Sequence, residues 1–251
     1  MANFSYEHAV HKYNVDGDGA FLIVCDHATN HVPEALRNLG VSEEDRSKHI
    51  AWDIGTERIG RQLADRFNAP AIICGTSRLV IDCNRRLTNA TLIPPVSDNI
   101  RIPGNENLSV VDVGRRIESC YLPYHAAIHA AIERFKQRGV DPVFLSIHSF
   151  TPTMNGKSRP WEIGISHTKD RRMSTPLIEI LRTLGTFEVG DDQPYDADSE
   201  IDYTIFAHAH QRDLRHVQVE FRQDMVATDQ TADQWAKIFG DAVVNTLVAL
   251  K

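Results

Sequence analysis

The stretch Phe21-Leu22-Ile23-Val24-Cys25-Asp26-His27 decides how the rest of the chain is read. Five apolar residues without polar alternation suit a strand buried on both faces, the habit of parallel sheets covered by helices. Asp26 and His27 follow where such a strand leaves the sheet. They therefore stand at a carboxyl end, where open α/β sheets bind their ligands. Residues 143–147 repeat the pattern and end in His148-Ser149. Further strands are expected at residues 71–74, 79–83, 161–166 and 217–221.

The connections read as helices. Ser42, followed by acids at 43 to 45, starts a short one, and Asp53 is placed to cap a longer one reaching to about residue 68. On that longer helix Ile59, Leu63 and Phe67 form one stripe. Apolar residues recur at helical spacing from 110 to about 138, with Pro123 as a kink or break. Helices are also expected at 175–185 and from about 231 to 250. Strands alternating with helices predict an α/β fold, a mainly parallel mixed sheet with helices on both faces. Residues 88–107 carry Pro94, Pro95, Pro103 and Gly104 without any period, and read as a long excursion that shapes a pocket. With 251 residues, 42% of them hydrophobic, and no repeat or low-complexity tract, one domain over residues 1–251 is the expectation.

The net charge of −7, from 27 Lys and Arg against 34 Asp and Glu, gives no broad attraction for nucleic acid or anionic lipid. An anionic substrate would need a local cluster of arginines. Cys25, Cys74, Cys83 and Cys120 show no C-x-x-C spacing, which fits a reducing compartment. Residues 1–13 lack a basic, then apolar, leader, and no run approaches the roughly 18 apolar residues that span a bilayer. A cytoplasmic protein without membrane or nucleic-acid partners is expected.

His27 and His148 end equivalent strands. A catalytic zinc takes three protein ligands from imidazole and carboxylate and leaves a fourth position for water. Asp53 is the chosen third ligand, against its alternative reading as a helix cap, with Glu34 and His31 as fallbacks. In Val217-Gln218-Val219-Glu220-Phe221-Arg222 strict alternation puts Gln218, Glu220 and Arg222 on one face. Either this is an edge strand with a solvated side, or Glu220 faces the cleft as a proton acceptor. Arg78, Asn84, Arg85 and Arg86 flank residues 79–83 and supply the cation cluster that a substrate carboxylate requires.

Six motifs then stand in one order: Cys25-Asp26-His27-Ala28, Trp52-Asp53-Ile54-Gly55, residues 77–85, Ile147-His148-Ser149-Phe150, Asp202-Tyr203-Thr204 with His208, and residues 219–224. From about Phe21 to Asp224 the chain resembles the N-formylglutamate amidohydrolase family, with a more distant likeness to zinc carboxypeptidases and aspartoacylase. The resemblance implies a zinc-exopeptidase-like (phosphorylase/hydrolase-like) fold and one Zn2+ held by His27, Asp53 and His148. It further implies Glu220 as general base, Arg78 as oxyanion partner, Asn84 and Arg85 as the grip on a substrate carboxylate, and Tyr203 and His208 on the substrate side. The implied reaction is hydrolysis of the formyl amide of N-formylglutamate, or of a similar small acidic N-acyl amino acid, by metal-activated water. A deacylase for a different N-acyl amino acid, and a non-catalytic metal or carboxylate binder on the same scaffold, are the alternatives. Aspartoacylase-like relatives take a carboxylate three residues after the first histidine; Asn30 stands there instead.

Overall fold

The computed structural model describes residues 8–197 and 201–250. Among them seven strands form one sheet: β1 (Val10–Tyr13), β2 (Phe21–Cys25), β3 (Ala71–Cys74), β4 (Val143–Phe150), β5 (Ile163–Ser166), β6 (Val189–Asp191) and β7 (His216–Arg222), in the order β1-β3-β2-β4-β7-β5-β6. The central strands β3, β2, β4 and β7 run parallel. β1 pairs antiparallel with β3 at one edge, and β5 pairs antiparallel with β7 while carrying β6 beside it. The expected mainly parallel mixed sheet is thus the observed one.

Its two faces bury two separate cores. Helices α1 (Thr56–Phe67), α4 (Ser174–Thr183) and α6 (Asp229–Ala249) pack Ile59, Leu63, Leu177 and Phe239 against Ile23, Leu145, Val219 and Phe221. On the opposite face, α3 (Leu122–Gln137) and α5 (Tyr203–His208) pack Tyr124, Ile128 and Ile205 against Leu22, Val24 and Phe144. The period of 2 divides β7 between these environments: Val217, Val219 and Phe221 enter the first core, while Gln218 and Glu220 turn to the second face.

One expected strand is absent and one of two open alternatives is excluded. Residues 79–83 form turns, not a strand. They are buried in the second core, but their backbone closes on Ser77 and Leu92 (Val80 N to Ser77 O 2.9 Å, Asp82 N to Leu92 O 2.8 Å). Residues 217–222 are not an edge strand, since β7 lies between β4 and β5. At Pro123 regular α geometry is interrupted, as expected: α2 (Val110–Arg116) gives way to a wider π-type stretch, Ile117–Tyr121, and α3 starts at Leu122, with Pro123 in its first turn. Residues 88–107 wrap the mouth of a cavity, anchored by Asn105, whose amide donates to Leu79 O and Pro94 O at 2.8 Å each.

Candidate metal and catalytic site

The cavity, about 600 Å³, opens beyond the carboxyl ends of the parallel strands and is bordered by His27, Asp53, Arg78, His148 and Glu220. β2 delivers His27 and β4 delivers His148; β7 sets Glu220 directly beside His148 in the parallel register. Asp53 arrives on the loop before α1. Gly55 occupies the cap position there, at φ 86° and with Val226 O 2.6 Å from where a Cβ would stand. Asp53 therefore does not cap the helix with its side chain, and both carboxylate oxygens are turned into the site.

There Asp53 Oδ2 meets two imidazoles, His27 Nδ1 at 3.4 Å and His148 Nδ1 at 3.1 Å. One ligand atom from each of the three residues lies within 4.8 Å of the others, and all three residues are buried. The far nitrogen of each ring faces another buried carboxylate. His27 Nε2 donates to Asp82 Oδ1 at 2.7 Å, and His148 Nε2 lies 3.1 Å from Ser146 Oγ and 3.2 Å from Asp26 Oδ2. Carboxylates on the far nitrogens of metal-binding histidines fix ring orientation and raise ligand basicity. The donor set therefore fits a metal: both Nδ1 atoms and one carboxylate aim at one point, and each ring is held from behind.

The electrostatics agree. Burial and the Arg78 guanidinium push His27 down, but Asp82 and Asp53 outweigh them and leave its pKa raised. Burial likewise opposes charge on His148, yet the bonds to Asp26 and Asp53 and the Glu220 charge hold it well above the usual imidazole range. Burial would raise Asp53, but His27, His148 and Arg78 bring it far below an ordinary carboxylate. A divalent cation satisfies the same demand for positive charge that these carboxylates make on the imidazoles.

Glu220 has the opposite character. It is 3% exposed, and among the described residues its Oε2 has no hydrogen-bond partner. Burial pushes its pKa up to about 8; His148 opposes this rise, and Asp53 and Asp202 add to it. Arg78 bridges Asp53 Oδ1 (3.3 Å) and Asp82 Oδ2 (2.9 Å), and those acids raise its pKa against the cost of burial. Arg85 borders the cavity and pairs with Asp202 Oδ1 at 3.2 Å. Asn84 is committed at both ends of its amide, donating to Asp202 Oδ1 (2.9 Å) and accepting from Thr204 N (2.9 Å).

Other residues singled out in the sequence stand elsewhere. Tyr203 and His208 do not border the cavity. His208 lies beneath it against His125 of α3, with His208 Nε2 2.9 Å from His125 Nδ1, and the Tyr203 ring packs 5.1 Å from His125. Arg86 lies over the Tyr203 and Phe206 rings. His31 and Glu34 are outside the cavity wall. Asn30 donates to Arg46 O at 3.2 Å. Conversely, Asp26, Asp82, Asp202 and Gln218 belong to the site's framework although sequence reasoning assigns them no role in it. Asp26 and Asp82 are visible as acids at the ends of apolar runs, and Gln218 as the neighbour of Glu220 on the alternating face.

An α/β sheet that gathers two imidazoles and a carboxylate beside a buried acid with one free oxygen, and with arginines facing the same cavity, defines a class: hydrolytic enzymes whose site can hold a metal. The family model of N-formylglutamate amidohydrolase matches residues 19–227, and the chain belongs to that family, hydrolases acting on an amide. The chain is similar to the crystal structure of a gene product from Agrobacterium tumefaciens, with 31% identity, a TM-score of 0.93, and 96% of this chain and 95% of that one covered. It is also similar to an N-formylglutamate amidohydrolase from Ralstonia eutropha JMP134, at 18% identity and a TM-score of 0.63, with 97% of each chain covered. No curated protein matches it significantly. Among the described residues no helix is long and apolar enough to cross a membrane.

Proposed function

We propose that the chain is a zinc-dependent amidohydrolase that removes the formyl group of N-formylglutamate or of a similar small acidic N-acyl amino acid. The observation that carries this reading is the convergence of His27 Nδ1 and His148 Nδ1 on Asp53, with the Glu220 carboxylate, its Oε2 without a hydrogen-bond partner among the described residues, bordering the same cavity. Two nitrogens and one carboxylate oxygen are the donors of a catalytic zinc that keeps a fourth position open. When bound, the metal supplies Lewis acidity, lowering the pKa of water toward about 7 and polarising the amide carbonyl, and its charge favours the ionised form of Glu220.

Glu220 takes a proton from the attacking water as its oxygen bonds to the formyl carbon. As the C–N bond breaks, Glu220 returns the proton to the amine nitrogen, so formate and glutamate leave with one water consumed. Arg78, kept charged by Asp53 and Asp82, offsets the oxyanion, a contribution typically of roughly 3 to 4 kcal/mol. Arg85 holds a substrate carboxylate as a planar fork, and Asn84, with its amide already engaged, holds the Arg85 segment in place.

The test is turnover of N-formylglutamate by zinc-loaded protein, wild type against Glu220→Gln. The variant is expected to lose turnover by orders of magnitude with zinc content near wild type. Undiminished turnover in the variant would remove Glu220 from the chemistry. Silence of the wild type across N-formyl and N-acetyl amino acids, acidic and neutral, would favour a binding protein over an enzyme.

A further inference from the structure

Asp202 occupies a place in this site that the hydrolytic scheme does not use. It is buried, 7% exposed, yet it borders the cavity. Its Oδ1 accepts from Asn84 Nδ2 at 2.9 Å and from Arg85 Nη1 at 3.2 Å. Its Oδ2 accepts from Gln218 Nε2 at 3.0 Å, and the same Gln218 nitrogen lies 3.4 Å from Glu220 Oε1. Gln218 is 1% exposed and stands two residues from Glu220, on the same face of β7. Asn84 N in turn donates to Asp82 Oδ1 at 2.9 Å, the oxygen that receives His27 Nε2. A chain of bonds therefore runs from His27 through Asp82, Asn84, Asp202 and Gln218 to Glu220, passing around the metal position.

We propose that Asp202 is a positioning residue that fixes the carboxylate-binding guanidinium of Arg85 and, through Gln218, the general base Glu220 in one shared geometry. The inference rests on the hydrolase reading above and names what makes that site selective for an acid. Asp202 is the acceptor common to the two arms. With one oxygen it takes up donors of Arg85 and Asn84, so the Arg85 fork presents its remaining edge in a fixed direction. With the other it orients the Gln218 amide toward Glu220. A side chain with only one acceptor cannot serve both arms: in Asp202→Asn an NH2 group must face either the Asn84 and Arg85 donors or the Gln218 donor. Buried donors opposed in this way turn away, and the groups they held move with them.

The experiment uses zinc-loaded full-length protein and three substrates: N-formylglutamate and its two monoamides, N-formylglutamine and N-formylisoglutamine. Wild type is expected to prefer the diacid over the monoamide that lacks the gripped carboxylate. Asp202→Asn should shrink that preference by about tenfold or more in kcat/KM and lower kcat as well, with zinc content unchanged. Gln218→Leu, which cuts only the arm to the base, should lower kcat by about tenfold or more while keeping the preference. Arg85→Lys should raise KM for the diacid. A uniform loss on all three substrates in Asp202→Asn, with the wild-type preference intact, would make Asp202 a purely structural residue and overturn the proposal. So would an unchanged kcat in Gln218→Leu. A wild type inactive on all three substrates would instead count against the N-formylglutamate reading on which the proposal rests.

Discussion

Two carboxylates in one buried site, Asp53 and Glu220, are pulled in opposite directions by their neighbours. Asp53 lies between two imidazoles and a guanidinium and is held far into its ionised form; Glu220 is given little to bond and is driven by burial up to about 8. Titratable groups whose surroundings separate them in this way mark a division of labour, here between holding charge and moving a proton. The same reasoning assigns Asp26 a part. It accepts from Tyr124 Oη (2.8 Å) and Thr204 Oγ1 (2.7 Å) through one oxygen and faces His148 Nε2 with the other. Asp26→Asn should loosen the orientation of His148 and weaken zinc binding by about 10- to 100-fold, as measured by competition with a chelator of known affinity. Affinity equal to wild type would show that the ring is held by its packing alone. At this scale the sequence is partly legible. His27 and His148 can be read because a polar residue that ends an apolar strand stands where an α/β sheet meets its ligand. Asp53 reads equally well as a cap, because nothing local reveals that Gly55 takes the cap position at positive φ. Tyr203 and His208 mislead because a motif fixes spacing along the chain but not which wall of an element faces the cavity.

Helices and strands are legible where burial imposes a pattern. The stripe of α1, the continuous runs of β2 and β3 and the alternation in β7 all announce themselves. Residues 79–83 show the limit of that signal: an apolar run records that a segment is buried, not that it is laddered, and this one fills the second core in turns. The edge strands β1 and β6, of 4 and 3 residues, carry too little pattern to be read. Contacts between elements are not legible, and the pairing of α3 with α5 is one of them. His125 and His208 stack with centroids 5.1 Å apart and rings nearly parallel, 9° between their planes. Burial lowers both, His125 to about 4 and His208 to about 3, the latter also through the neighbouring His125 charge. An unfolded histidine takes up its proton near 6.5. Between that pH and the lower folded values only the unfolded chain binds these protons, so this contribution to stability is complete above pH 6.5 and is lost as the pH falls toward about 4 and then 3. Each imbalance is worth about 1.4 kcal/mol per pH unit. His208→Leu should therefore lose stability less steeply than wild type between pH 6.5 and 4 in denaturant titrations. Parallel curves for the two proteins over that window would refute the assignment.

The whole molecule is a sheet with a core on each side, and its charge of −7 leaves the binding of any anion to local arginines. The sheet brings together at one rim residues that lie almost two hundred positions apart, from His27 to Glu220, because parallel strands all point their carboxyl ends the same way. What holds them there is a continuous run of hydrogen bonds. The bonds from His27 through Asp82, Asn84, Asp202 and Gln218 to Glu220 are all made by the polypeptide itself. A socket tied together by the protein's own bonds is expected to separate two events that small zinc modules fuse, folding and loading. Stripped with a chelator, the protein should keep its far-ultraviolet circular dichroism and a cooperative melt, and regain activity on adding zinc without a refolding lag. Collapse on stripping would mean that the ion builds the socket. If the protein behaves as expected, its supply of active enzyme follows the free zinc around it, and can rise and fall without a single chain being made or destroyed.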